Sequence, residues 1–483
     1  MQALLALVPC AVVIAGVLGA RWSGLAAAAA SLVATAVLVG VGAFKPAHAA
    51  MAGDAIADAM LLTVLVSATL VPGVLFIEAT RRLGSPQAIT RAVELLRLPQ
   101  PQTAVLLSLG VGVLVESLTG MGVSLLLTVP MLLVVLPRTA AIAVALVGMS
   151  LMPWGALALA GTVGATLAGI EPGHFGWAIW CFSGVVAAVL PLVATRIAGG
   201  KTFADVHIAI FCGGVLAAAT GLATLAFGMS LAGVAGGLAI LAVLGMRAER
   251  SPQLAIALRA SPLTPYLVLI AAVCVQTVGV QYLTWRGVTP TLTTGRVTFA
   301  ILTSPGVALT LATVLTGRRA LDARLGYDVL RRSWRAVASV ALFMLTARLL
   351  VASGGIDALT AAIKGFGPIG ALAAVTGLGA LGGFVTGSGV TGNALFLPSA
   401  AEAGAAIGAK DVFAAVASAA AGHAAMASLP VAALLLTALP DRAVNDDRVA
   451  LKWGLLLTAG YLCILLLVGA LWLTRLQVRH ALE

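Results

Sequence analysis

Charge is what this sequence has least of. Only 9% of its 483 residues are Asp, Glu, Lys or Arg, while 61% are hydrophobic. A water-soluble domain carries about 25% charged residues. So few charges cannot solvate a compact surface of this size, so lipid is the expected solvent and a large aqueous domain is excluded. Paired cysteines are missing too. Cys10, Cys181, Cys212, Cys274 and Cys463 lie far apart in apolar runs and read as small buried hydrophobes, with no CxxC or CxxH spacing for a metal or redox centre. There is no phosphate-binding glycine loop, no HExxH and no GxSxG, so neither ATP-driven pumping nor an enzyme activity is expected, and no cofactor. The net charge of +11 would point to nucleic acid in a soluble chain. Here it is assigned to basic loops along one membrane face, which leaves the lipid bilayer as partner and no nucleic acid.

What is present is apolar sequence in membrane-length pieces. About 20 residues cross the hydrocarbon, which marks spans at 3–20, 24–43, 57–77, 139–170, 176–197, 205–226, 228–245, 263–283, 296–316, 336–353, 411–439 and 451–474. The first, MQALLALVPCAVVIAGVLGARW, lacks the basic start of a secretory signal. Two further stretches, 103–136 and 365–400, are interrupted by ESLTGMG and TGSGVTGN. Each reads as two short arms around a glycine-rich tip, a re-entrant hairpin. Non-helical backbone at that depth is tolerated only where protein or a water-filled cavity satisfies it. With both termini outside, twenty Lys and Arg fall on the cytoplasmic side and seven outside, as the positive-inside rule requires.

The chain also repeats. A shift of 270 places Gly84 on Gly354, Thr90 on Thr360, Gly112 on Gly382 and Gly122 on Gly392, with ten identities between residues 84 and 125. The two copies run in opposite directions through the layout, the inverted arrangement of many secondary transporters. The expected fold is therefore an all-α polytopic membrane protein of about 12 transmembrane helices plus two re-entrant hairpins in inverted repeats. Residues 1–56 are N-terminal scaffold helices, 57–200 the first repeat with hairpin 103–136, 201–335 central scaffold helices, and 336–483 the second repeat with hairpin 365–400. The apolar spans at 205–283 are candidates for a homodimer contact. Each hairpin precedes a span holding a proline, Pro153 or Pro430, where the helix should kink or break.

Few side chains in these spans can carry chemistry. Glu116 lies inside the first hairpin, where a carboxylate needs a partner, a proton or water; it is either a coupling group or a structural contact. Thr119, Gly120 and Gly122 surround it. The second tip offers Thr386, Ser388, Thr391 and Asn393, hydroxyls and an amide suited to a small ligand beside helix-end amides. Arg348 matches a carboxylate by its planar fork, or reaches for the nearby surface. His423 titrates near neutral pH and is either a proton relay or a structural contact.

At these residues the sequence resembles the lactate permease family of bacterial carboxylate transporters. VGVLVESLTGMGVS is similar to that family's EGAAGFGAP segment at Glu116, Gly120 and Gly122. MSLMPWGALALAGTVGATLAG is similar to its ANTAPVAFGALGTP at Pro153 and Gly155. LGALGGFVTGSGVTGNALF is similar to its GALGAFLTGSDTSSNALF at Thr386, Gly387, Ser388 and Asn393. The resemblance implies a proton-coupled symporter of lactate, glycolate or another small monocarboxylate in the bacterial cytoplasmic membrane. It also implies kinship with the wider ion transporter superfamily, with its elevator-type scaffold and transport parts. The carbonyl oxygens of broken helices keep a sodium-coupled carrier of a different small organic anion as the alternative. Gly389 stands where the family has aspartate, and the lysine of its AGKMISPQS segment has no counterpart near Ala425.

Overall fold

A computed structural model of the chain describes residues 2–482 apart from 17–19, 21, 45–48, 121, 248–263, 295–296, 442 and 444. The basic residues Arg21, Lys45, Arg250, Arg259, Arg296 and Arg442, counted above, lie outside the described residues. Among the described residues, eleven helices are long and apolar enough to cross a membrane. The chain is an all-α polytopic membrane protein, with one small β-ribbon among the described residues.

The chain opens with α1 (Gln2–Ile14), α2 (Gly24–Gly40), α3 (Ala49–Arg82) and α4 (Ser85–Glu94). Next come α5 (Gln100–Thr119, π-helical over Leu106–Gly112) and α6 (Val123–Val135), which pack on one another as a helical hairpin. A broken segment follows: α7 (Arg138–Gly148), a 3-10 stretch at Met149–Trp154, and α8 (Gly155–Ala168). Then come α9 (Pro172–Ile197), α10 (Phe203–Phe227), α11 (Ala232–Arg247) and α12 (Thr264–Trp285). Strands β1 (Thr291–Thr294) and β2 (Val297–Ala300) pair antiparallel and lead into α13 (Gly306–Gly317). The second half runs α14 (Ala323–Ala352), α15 (Gly355–Lys364), the hairpin α16 (Gly367–Thr386) and α17 (Gly389–Ala405), the broken pair α18 (Lys410–Ala425) and α19 (Leu429–Thr437), and α20 (Asp446–Leu482).

The second half thus repeats the order of the first from α3 to α9. The offset of 270 holds at the left-handed turns Gly84 and Gly354, with φ of 76° and 77°. At the tips it becomes 267, because the link 95–99 before α5 is three residues longer than the link 365–366 before α16. Thr119-Gly120 therefore corresponds to Thr386-Gly387, and the glycines share φ of 70° and 68°. Gly122 and Gly392, matched by the gap-free shift, are not equivalent. The expected span 296–316 is also shortened. Its start, Val297–Ala300, pairs with the threonine-rich strand Thr291–Thr294 before it as β-ribbon, as β-branched residues favour, leaving α13 only 12 residues.

Helix α3 packs along α14; α2 lies on α14 and α13 on α3. Helix α18 packs between α16 and α17, α10 on α9, and α11 on α5. The stretch 201–335, expected as one group, therefore divides: α10 and α11 side with the first hairpin, α12 and α13 with α3. Lipid supplies no hydrophobic drive for helices to associate, so close backbone approach does that work. A Cβ at Gly383 would run into the Ala421 carbonyl, and one at Gly148 into that of Ser108. A distinct apolar cluster joins α3 and α14 to α8 and α17 through Leu62, Leu65, Met344, Leu159, Val163 and Ala394. The ribbon contributes Val297, only 2% exposed, to the same seam.

Candidate functional site

The two tips and the two breaks meet around one cavity of about 1110 Å³. Its wall includes Glu116, Thr119 and Gly120 of the first tip, Thr386 to Thr391 of the second, Ala156 of the first break and Pro430 of the second. The cavity continues past Arg335 and Ser339, midway along α14, to Thr437 and Asp447 at the end of α19 and the start of α20. The apolar seam lies on its other side.

Each tip rests on a break. At Gly120 a side chain would strike Ala156, its Cβ lying 2.6 Å from that of Ala156, and φ 70°, ψ −171° is a conformation kept for glycine. At Gly387, a Cβ would lie 3.0 Å from Ser428 Oγ and 3.1 Å from Pro430. The breaks pack on each other as well: a Cβ at Gly422 of α18 would lie 2.8 Å from Pro153. After Trp154 the chain makes one left-handed turn, Ala156, Leu157 and Ala158 all having positive φ. Such a conformation costs about 1–2 kcal/mol per non-glycine residue, and backbone held against that cost clusters at functional sites.

Glu116 is 2% exposed and closes the first tip on itself. Oε1 accepts from the Gly122 amide at 3.0 Å and Oε2 from Ser124 Oγ at 2.8 Å. A carboxylate at the start of α6 also meets the positive end of that helix. The second tip has no acid. Ser388 Oγ instead accepts from the Thr391 amide at 3.4 Å, and Ser428 Oγ from the Val431 amide at 3.3 Å. The starts of α17 and α19 therefore face the cavity with partial positive charge and no carboxylate of their own beside them. Asn393 is buried behind the tip, its Nδ2 donating to Ala160 O and to Ser418 Oγ, each at 2.9 Å. It ties α17 to α8 and α18 and does not line the cavity.

Gly122 is likewise absent from the cavity wall, and two further expected site residues sit elsewhere. Arg348 is bonded to Asp58, a buried ion pair joining α14 to α3, and the cavity wall does not include it. Thr294 of the ribbon donates to the other oxygen of Asp58 at 3.1 Å. The apolar depth around Arg348 is the reason: a buried arginine needs an acid, and α3 supplies one. His423 is fully buried where the breaks cross. Its Nδ1 lies 2.6 Å from the Ser150 carbonyl and Nε2 3.0 Å from Ser183 Oγ. A carbonyl only accepts, so Nδ1 donates to it, while Nε2 and the Ser183 hydroxyl share the second bond. The ring thereby satisfies a carbonyl of the 3-10 stretch. Glu78 is likewise buried and paired, with Arg332 at 2.8 Å.

Sequence reasoning missed Asp58, Ser124, Ser428, Arg335 and the turn at Ala156–Ala158. Ser428-Leu429-Pro430 was readable as a helix cap with proline in the first turn. Asp58 carried a signal too, an acid inside an apolar run. Nothing in Ala-Leu-Ala marks a left-handed turn. No protein-family profile matches the chain, and no curated protein matches it.

Proposed function

We propose that this protein is a secondary active transporter of a small organic anion, with the monocarboxylates implied by the lactate permease resemblance as leading substrates. The observation that carries this reading is the convergence of two helical tips and two helix breaks on one cavity. Broken helices place unbonded backbone amides and carbonyls at membrane depth, where they serve as ligands for a solute. The anion's charge is met by the amide ends of α17 and α19, with Thr386, Ser388 and Thr391 supplying hydroxyls. Glu116 organises the first tip and is the one acid at this depth in the wall, so a coupling proton would bind there. Transport follows if the block holding both hairpins slides along α3 and α14 at the apolar seam, with the hairpins re-entrant from opposite sides. The membrane is the bacterial cytoplasmic membrane, with the basic loops inside.

The test is uptake of labelled lactate and glycolate into proteoliposomes, with pH and sodium gradients imposed separately. Uphill accumulation under a pH gradient, with counterflow exchange, is expected. Accumulation under sodium alone would move the coupling to sodium. Absence of flux for every small carboxylate under either gradient would overturn the anion assignment.

A further inference from the structure

The first half of α14, which reaches the cavity at Arg335, carries a row of arginines outside the ion pairs of the described residues. Arg324, Arg331 and Arg335 are all exposed. Their spacing of seven and four residues sets them within about 40° of each other around the helix. Neighbouring arginines are occupied: Arg82 pairs with Asp322 at 2.8 Å and Asp328 at 3.2 Å, and Arg332 with Glu78. None of the three in the row joins an ion pair among the described residues.

Along one flank of this row lie Tyr327, Leu330 and Trp334, 65%, 66% and 45% exposed. A site for a soluble anion gains nothing from three large apolar side chains left open beside it. A phospholipid uses both. Its phosphate is met by the guanidinium forks, and its glycerol and first methylenes lie against the aromatic and leucine flank, as tyrosine and tryptophan do at membrane interfaces. The row also stands at the end of an apolar span, where headgroups are, and a basic cluster there attracts anionic lipid at about 1 kcal/mol per charge.

We propose that this flank of α14 is a binding site for the headgroup of an anionic phospholipid. Because Arg335 belongs both to the row and to the cavity wall, a bound headgroup stands at the cavity's mouth. The site does not depend on the transport reading.

The test uses the full-length protein in mild detergent, titrated with phosphatidylglycerol or phosphatidylcholine and read by native mass spectrometry. Glycerol phosphate is the soluble comparison. Phosphatidylglycerol should bind about tenfold or more tightly than phosphatidylcholine. Arg324→Gln with Arg331→Gln, which leaves the cavity wall intact, should reduce that preference to about twofold. Arg286→Gln with Arg475→Gln removes the same charge elsewhere and should leave it unchanged, and Trp334→Ala should weaken the lipid but not glycerol phosphate. An unchanged preference in the first variant would overturn the proposal. So would glycerol phosphate binding as tightly as the lipid, because the site would then belong to free anions.

Discussion

Glu116 was the most legible residue of the site, because an acid in a run such as GVLVESLTGMG is too costly in hydrocarbon to lack a purpose. What it does is set by neighbours the sequence does not rank. Gly122 and Ser124 both donate to it, so Glu116→Gln would turn an amide NH₂ toward one of two donors. We expect about 1–3 kcal/mol of lost stability, seen as a lower melting temperature, together with loss of uptake. A Gln variant with wild-type melting and full uptake would remove Glu116 from both roles. Arg348 shows the opposite case. Its cost was visible, but its partner Asp58 stands 290 residues away, and only the packing of α3 on α14 brings them together.

At the level of elements, both glycine-rich tips and both breaks were readable, since glycine clusters and prolines inside apolar runs leave plain marks. Their bounds and equivalences were less so: the three-residue difference between links 95–99 and 365–366 is invisible to a gap-free shift. The left-handed turn was not legible at all, because alanine and leucine favour right-handed helix. That mismatch gives a prediction of sign. Glycine for alanine inside a helix costs about 1 kcal/mol, and Ala143→Gly in α7 should lower the melting temperature accordingly. Ala158→Gly relieves about 1–2 kcal/mol of left-handed strain, so it should leave melting unchanged or raise it. Equal destabilisation by both changes would contradict the turn.

For the whole molecule, composition was enough for a polytopic membrane protein, and the internal repeat for two related halves. They did not reveal how the pieces between the repeats divide, with α11 on the first hairpin and α13 on α3, because an apolar span carries no address for the helix it will touch. The cavity passes Ser339 and Thr437 toward the basic loops, while the seam closes its other side. In a chain with its five cysteines replaced, Ser339→Cys and Thr437→Cys should therefore react with an impermeant maleimide in inside-out vesicles and stay protected in right-side-out ones. The reverse pattern would invert the assigned orientation.

The ribbon of β1 and β2 has a practical consequence. It is a two-stranded sheet with no further strand beside it among the described residues, so its outer edges keep free hydrogen-bonding groups. Thr291, Leu292 and Thr293 are exposed, while Val297 is seated between the moving and fixed parts proposed above. An antibody fragment raised against the ribbon therefore has two epitopes to choose from. One that extends the sheet along β1 would clamp Val297 in its seat and arrest the molecule as described. One that grips both faces of β2 would recognise only a molecule in which that seat has emptied, and so report on the other state.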